Sequence, residues 1–196
     1  MTRTSYVKRS TSETQIEVSL NLDGSGVQDI KTPVPFLDHM LSQLAKHGYF
    51  DLTVKAQGDT QIDSHHTVED VGIAVGQAFK EALGEKKGIR RFAEASVPLN
   101  EALAQCIIDI CGRSYFVFNV ALPKAKLGEF DVELVSEFFQ AFSANSGITL
   151  HLNSPYWSNL HHITEALFKA FARALDSACS IDLRTSDIPS TRVPFS

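Results

Sequence analysis

The segment "HHITEALFKAFARAL", residues 161–175, has a counterpart in "HHTVEDVGIAVGQAF", residues 65–79. In the earlier copy Val68, Val71, Val75, Ala78, Phe79 and Ala82 repeat at spacings of three and four. That is the period of a helix with one buried face. Ser64 is expected to cap its start, and Gly84 to end it. The likeness extends upstream of both copies. "TQIEVSLNLDG" alternates Ile16, Val18, Leu20 and Leu22 with polar residues, as a half-buried strand does, and closes on Gly24. "LAQCIIDICG" repeats that pattern and closes on Gly112. "VPFLDHMLSQLAKHG" places Phe36, Leu37, Met40, Leu41 and Leu44 at helical spacing, and "FDVELVSEFFQAFSANSG" is a helix of the same kind. "YFDLTVKA" and "ITLHL" return to period two at matching places, and "YFVFNVAL" is a further strand.

The chain therefore reads as an internal duplication of α+β class. Each half is a small mixed or antiparallel sheet with helices packed on one face. The expected halves are residues 1–86 and 87–196, joined within "GEKKGIRRF", residues 84–92.

Composition narrows the function classes. The chain has 196 residues, 43% hydrophobic and 21% charged, with a net charge of −5. No stripe of Lys and Arg dominates, which argues against a nucleic-acid or anionic-membrane partner. Three cysteines, Cys106, Cys111 and Cys179, are too few for a disulfide framework and fit a reducing compartment. "MTRTSYVKRS" has no apolar core of a signal peptide, and no apolar run approaches membrane-spanning length. A soluble cytoplasmic protein is the expectation, or a plastid one after transit-peptide removal.

Both long helices open with HHxxE. Successive helical residues turn by about 100°. His65 and Glu69, four apart, share a face, and His66 adjoins Glu69 from the other side. The histidines diverge around the glutamate, so one His and the Glu suit one metal while the second His reaches another. His161, His162 and Glu165 offer the same fan. A single HHxxE is usually a cap or a solvated surface feature. Two copies at matching places point instead to metal binding. Imidazole and carboxylate without thiolate suit Mn, Fe, Co or Zn.

His39 taken alone reads as a satisfied, half-buried histidine. When the halves are aligned, however, "LDHML" falls on "VSEFF" and puts Glu137 in its place. Eight candidates result: His39, His65, His66, Glu69, Glu137, His161, His162 and Glu165. Four for each of two metals leave coordination positions for a substrate. His47 and His151 are unassigned, with His151 expected in the core or in a supporting role.

These segments carry a resemblance. "FLDHML", "SHHTVEDVGIAVGQAF", "GIRRFAEASVPLNEALA", "LVSEFFQAF", "HHITEALFKAFARAL" and "IPSTR" make the chain similar, over nearly its whole length, to the imidazoleglycerol-phosphate dehydratases of histidine biosynthesis. The resemblance implies a ribosomal protein S5 domain 2-like fold in each half. It implies a hydro-lyase that converts imidazole glycerol phosphate to imidazole acetol phosphate with two Mn ions per active site, other divalent transition metals also suiting the donors. It further implies a homo-oligomer, trimers assembling into an octahedral shell with active sites between subunits.

The hydrogen to be removed is not beside a carbonyl, so the ring must supply the electrons. Metals on its two nitrogens would favour the imidazolate, which could expel the adjacent hydroxyl through a diazafulvene-like intermediate. Glu13 matches the family's catalytic glutamate, though alone it reads as a solvated residue at a strand start. Arg91, Arg113, Lys169, Ser190 and Arg192 match its phosphate-binding positions, though each alone reads as an ordinary surface group. Glu137 stands where some members have His, Arg192 where Lys is common, and Asn100 where Asp is frequent.

Two other classes compete. A dinuclear phosphohydrolase would lean on Asp-rich motifs, against the histidine-rich set here. A non-catalytic metal-binding assembly would need the ligands but neither Glu13 nor the cations.

Overall fold

The computed structural model describes residues 3–191. The first half forms β1 (Thr4–Ser10), β2 (Thr14–Asn21), β3 (Gln28–Lys31), α1 (Pro35–Gly48), β4 (Asp51–Gly58) and α2 (His65–Leu83). The second forms β5 (Phe92–Leu99), β6 (Ala102–Asp109), β7 (Tyr115–Asn119), a small hairpin of β8 (Lys126–Leu127) and β9 (Phe130–Asp131), α3 (Leu134–Ser146), β10 (Thr149–Tyr156) and α4 (Leu160–Cys179).

The sheets have the same topology. One runs β1-β2-β4-β3, the other β5-β6-β10-β7. In each, the last pair is parallel and the others antiparallel. Both are mixed, as the strand patterns allowed. The alternation is realised residue by residue. Ile16, Val18 and Leu20 of β2 are buried, as are Ala104, Cys106 and Ile108 of β6. The opposite face stays open, exposing Lys8, Phe92 and Tyr115.

Helices cover the inner face of each sheet, and the two helical layers meet in the middle. They pair across the halves: α1 packs on α4, and α2 on α3. Glycine sets the second crossing. A Cβ on Gly76 would stand 2.6 Å from the Phe142 carbonyl oxygen, and one on Gly72 2.8 Å from that of Phe138. Only hydrogen lets these backbones approach so closely. Phe79, Phe138, Phe139, Phe142, Phe168 and Phe171 fill the space between the layers in tilted and edge-to-face contacts. Cys106, Cys111 and Cys179 are buried free thiols. Among the described residues, no helix is long and apolar enough to cross a membrane.

Two local expectations change. Ser64 occupies the N-cap position of α2, but its side chain makes no capping bond; Asp63 Oδ1 accepts the His65 N–H instead, at 2.8 Å. His151 lies half-buried on the outer face of its sheet, paired with Ile107 and Val117, not in the core. Asn100 has a positive φ of 49° in the β5–β6 turn, a conformation that Asn tolerates better than most residues.

Candidate metal centre

The cross-half helix pairing brings one donor set together. His39 comes from α1, and His161 and Glu165 from α4. Their ligand atoms lie within 4.8 Å of one another. The Nε2 atoms of His39 and His161 each stand 3.1 Å from Glu165 Oε2. Lys169, one turn further along α4, contacts Glu165 Oε1 at 2.5 Å. Burial pushes the Glu165 carboxyl up, but Lys169, His39 and His161 outweigh it and hold it down at about 2. Phe36 packs edge-on against both imidazoles and limits their rotation. Two imidazoles and an ionised carboxylate fit a divalent transition metal and leave positions open for other ligands.

The matching set on α2 and α3 is looser. His65 Nε2 is 3.9 Å from Glu69 Oε2, and both side chains are nearly half exposed. Glu137, from the first turn of α3, faces His65 across a cleft also lined by Asp63, Ser64 and Glu133.

The second histidine of each motif diverges, as the helical spacing predicts. The rings of His65 and His66 lie at 88°, those of His161 and His162 at 85°. His66 Nδ1 meets Asp59 Oδ2 at 3.0 Å and lies 3.8 Å from Glu13 Oε2. His162 Nδ1 meets Glu101 Oε2 at 2.9 Å. The bond with Asp59 is the main cause raising the affinity of His66 for its proton. The hydrogen bond from His162 and backbone N–H donors hold the Glu101 carboxyl down at about 2. Asn159 caps α4 by accepting from the N–H groups of His161 and His162 at 2.9 and 3.1 Å.

The predicted cations divide. Lys169 adjoins the donor set directly. Arg91 does not: its guanidinium chelates Asp109 at 2.7 and 3.2 Å and donates to the Pro189 carbonyl at 2.7 Å, which ties it to the segment holding Ser190. The exposed Arg113 is joined to the same end of the sheet, its carbonyl accepting from Thr149. Glu101 precedes β6 and Asp109 ends it, so eight residues separate the metal end from the arginine end, about 25 Å of strand. Arg192 lies outside the described residues.

Several neighbours escaped the sequence reading. Asp59 and Glu101 sit in turns, where no periodicity marks them. The buried Asp70 binds Arg9 and Thr14, and so anchors α2 to the hairpin carrying Glu13. His47, at the end of α1, is held below its usual pKa by burial and by the charges of Lys169 and Arg173. Its place directly before Gly48, on the helix of His39, was the available signal.

Fold and donor set together define an α+β metal-dependent enzyme built from two similar halves. Residues 32–175 match the family of imidazoleglycerol-phosphate dehydratase. Dehydratases of that name from Geobacter metallireducens and Pelobacter propionicus are 58% and 57% identical over 192 residues, covering 98% of both chains in each case. The crystal structure of the Staphylococcus aureus imidazoleglycerol-phosphate dehydratase superposes with a TM-score of 0.83 at 39% identity, covering 91% of this chain and 99% of that one. The Pyrococcus furiosus structure gives 0.81 at 34%, covering 94% and 98%. The chain belongs to the imidazoleglycerol-phosphate dehydratase family.

Proposed function

We propose that this chain dehydrates imidazole glycerol phosphate to imidazole acetol phosphate in histidine biosynthesis, as a cytoplasmic enzyme using two Mn ions per active site. The observation that carries this reading is the convergence of His39, His161 and Glu165 on one point in a chain of this family. His65, Glu69 and Glu137 are the donors of the matching set. His66 and His162, turned away from both sets, would complete them from other copies of the chain. Residues 1–86 and 87–196 are the two halves of the duplication.

Metals held there would act as Lewis acids on the two ring nitrogens of the substrate. Glu13, half exposed on the β1–β2 turn, would take the proton from the carbon beside the departing hydroxyl. Proton and hydroxyl leave as water, and the resulting enol becomes the ketone. Arg91, Arg113, Lys169, Ser190 and Arg192 would hold the phosphate, the arginines by forked donation.

Because Arg91 and Arg113 lie a strand's length from the metal end of their own chain, those contacts would come from neighbouring subunits. Trimers assembled into an octahedral shell, with active sites between subunits, satisfy that requirement. The exposed Phe92 and Tyr115 on the outer face of the second sheet support such association.

The test is metal-stripped protein incubated with imidazole glycerol phosphate, with and without Mn. Mn-dependent formation of imidazole acetol phosphate is expected. Folded protein with restored metal and no product would overturn the reading.

A further inference from the structure

The two hairpin turns that precede β2 and β6 each present a glutamate to the second histidine of an HHxxE. The alignment that sets Gly24 on Gly112 also sets Glu13 on Glu101. The buried positions follow the same alignment: Thr14 with Ala102, Val18 with Cys106, and Leu20 with Ile108. Glu13 and Glu101 are therefore counterparts, yet they stand differently. Glu101 Oε2 is 2.9 Å from His162 Nδ1, whereas Glu13 Oε2 is 3.8 Å from His66 Nδ1, beyond hydrogen-bond range. In the first half, Asp59 takes the place at 3.0 Å.

We propose that Glu101 and Asp59 are positioning residues that hold His162 and His66 with Nε2 free for a metal, and that Asp59 thereby releases Glu13 for proton transfer. This inference rests on the metal-dependent function proposed above.

Three observations support it. An ionised carboxylate only accepts hydrogen bonds, so each Nδ1 carries the proton and, in the neutral ring, Nε2 presents its lone pair. A carboxylate on the far nitrogen is the usual partner of a metal-binding histidine, fixing its tautomer and raising its basicity. Glu101 is also anchored for the task. Glu101 Oε1 accepts the Asn159 N–H at 2.7 Å, and Asn159 in turn caps the turn that carries both histidines. Asp59 is largely buried, and its other oxygen has no partner among the described residues. A buried carboxylate with one bond left unmade is costly to keep. Its bond to His66 gives it a use.

The experiment compares Glu101→Ala, Glu101→Asp, Asp59→Asn and Glu13→Gln in the full chain. Mn affinity is measured by calorimetry on stripped protein, with the metal-free melting temperature and dehydration followed alongside. Glu101→Ala and Asp59→Asn are expected to weaken Mn binding about 10–100-fold, with metal-free melting unchanged and partial recovery in Glu101→Asp. Glu13→Gln is expected to bind Mn within about two-fold of wild type while losing turnover. Wild-type Mn affinity in both Glu101→Ala and Asp59→Asn would overturn the inference, as would a loss matched by a lower metal-free melting temperature. Weakened Mn binding in these variants, together with a wild type that binds Mn but yields no product, would retain the positioning role and reject the dehydratase alone.

Discussion

The α1–α4 and α2–α3 clusters descend from one sequence pattern but are organised to different degrees. Glu165 is held by two histidines at 3.1 Å and by Lys169 at 2.5 Å, with its side chain only 13% exposed. Glu69 is 46% exposed, has one histidine at 3.9 Å, and carries Ile73 where its counterpart has Lys169. Duplication copied the donors without their supports. A set already gathered spends less binding energy on ordering its side chains. The closed cluster should therefore take metal first and more tightly.

The most direct way to break this contrast is to remove each glutamate. Glu165→Gln should lower the affinity of the tighter Mn by on the order of 100-fold, leaving the weaker event in place. Glu69→Gln should affect only the weaker event, and calorimetric titration separates the two. Equal effects would mean that the clusters act as one.

The helix crossings beneath the clusters can be tested next. Gly76→Ala would force a methyl to within 2.6 Å of a backbone oxygen that cannot swing aside. Overpacking of this kind costs about 1–3 kcal/mol, so the melting temperature should fall by several degrees. A fall of that size, with α2–α3 loosened, should weaken the second Mn event more than the first.

Lys169→Met probes the charge asymmetry. A carboxyl depressed to about 2 stabilises the fold at pH values above the ordinary glutamate range, and that contribution is lost as pH falls through about 2. Without Lys169, burial pushes the Glu165 carboxyl upward. Acid unfolding of the metal-free protein should then begin at higher pH, with about 1–2 kcal/mol lost at neutral pH. An unshifted acid transition would contradict this account.

The smallest effect concerns the caps. Asn159→Ala should cost about 1 kcal/mol, whereas Ser64→Ala, which removes no capping bond, should cost under about 0.5 kcal/mol. Chemical denaturation resolves both.

The same asymmetry explains what was legible in the sequence. The paired helices, the alternating strands and the diverging histidines follow from local periodicity, and the structure contains them. His39 and Glu137 became candidates by aligning the halves, because duplication turns a distant relation into a local comparison, and the structure gathers His39 with His161 and Glu165. Asp59, Glu101 and Asp70 were not found. Each acts across sheet and helix, from a turn or from the sheet-facing side of α2, and no spacing rule marks such a partner. The engagement of Arg91, just before β5, with Asp109 at the end of β6 was equally hidden, since nothing local links the two. The bare cap at Ser64 shows a propensity overridden by its neighbour Asp63.

The pairing of α1 with α4 has a practical side. His39 belongs to the first half, and His161 and Glu165 to the second, so among the described residues neither half alone owns a gathered donor set. A chain cut in the turn between Leu83 and Phe92 would yield two fragments, each with a bare helical face and an incomplete set of donors. Capture of Mn by the mixture, and by neither fragment alone, would make the metal a reporter of reassembly.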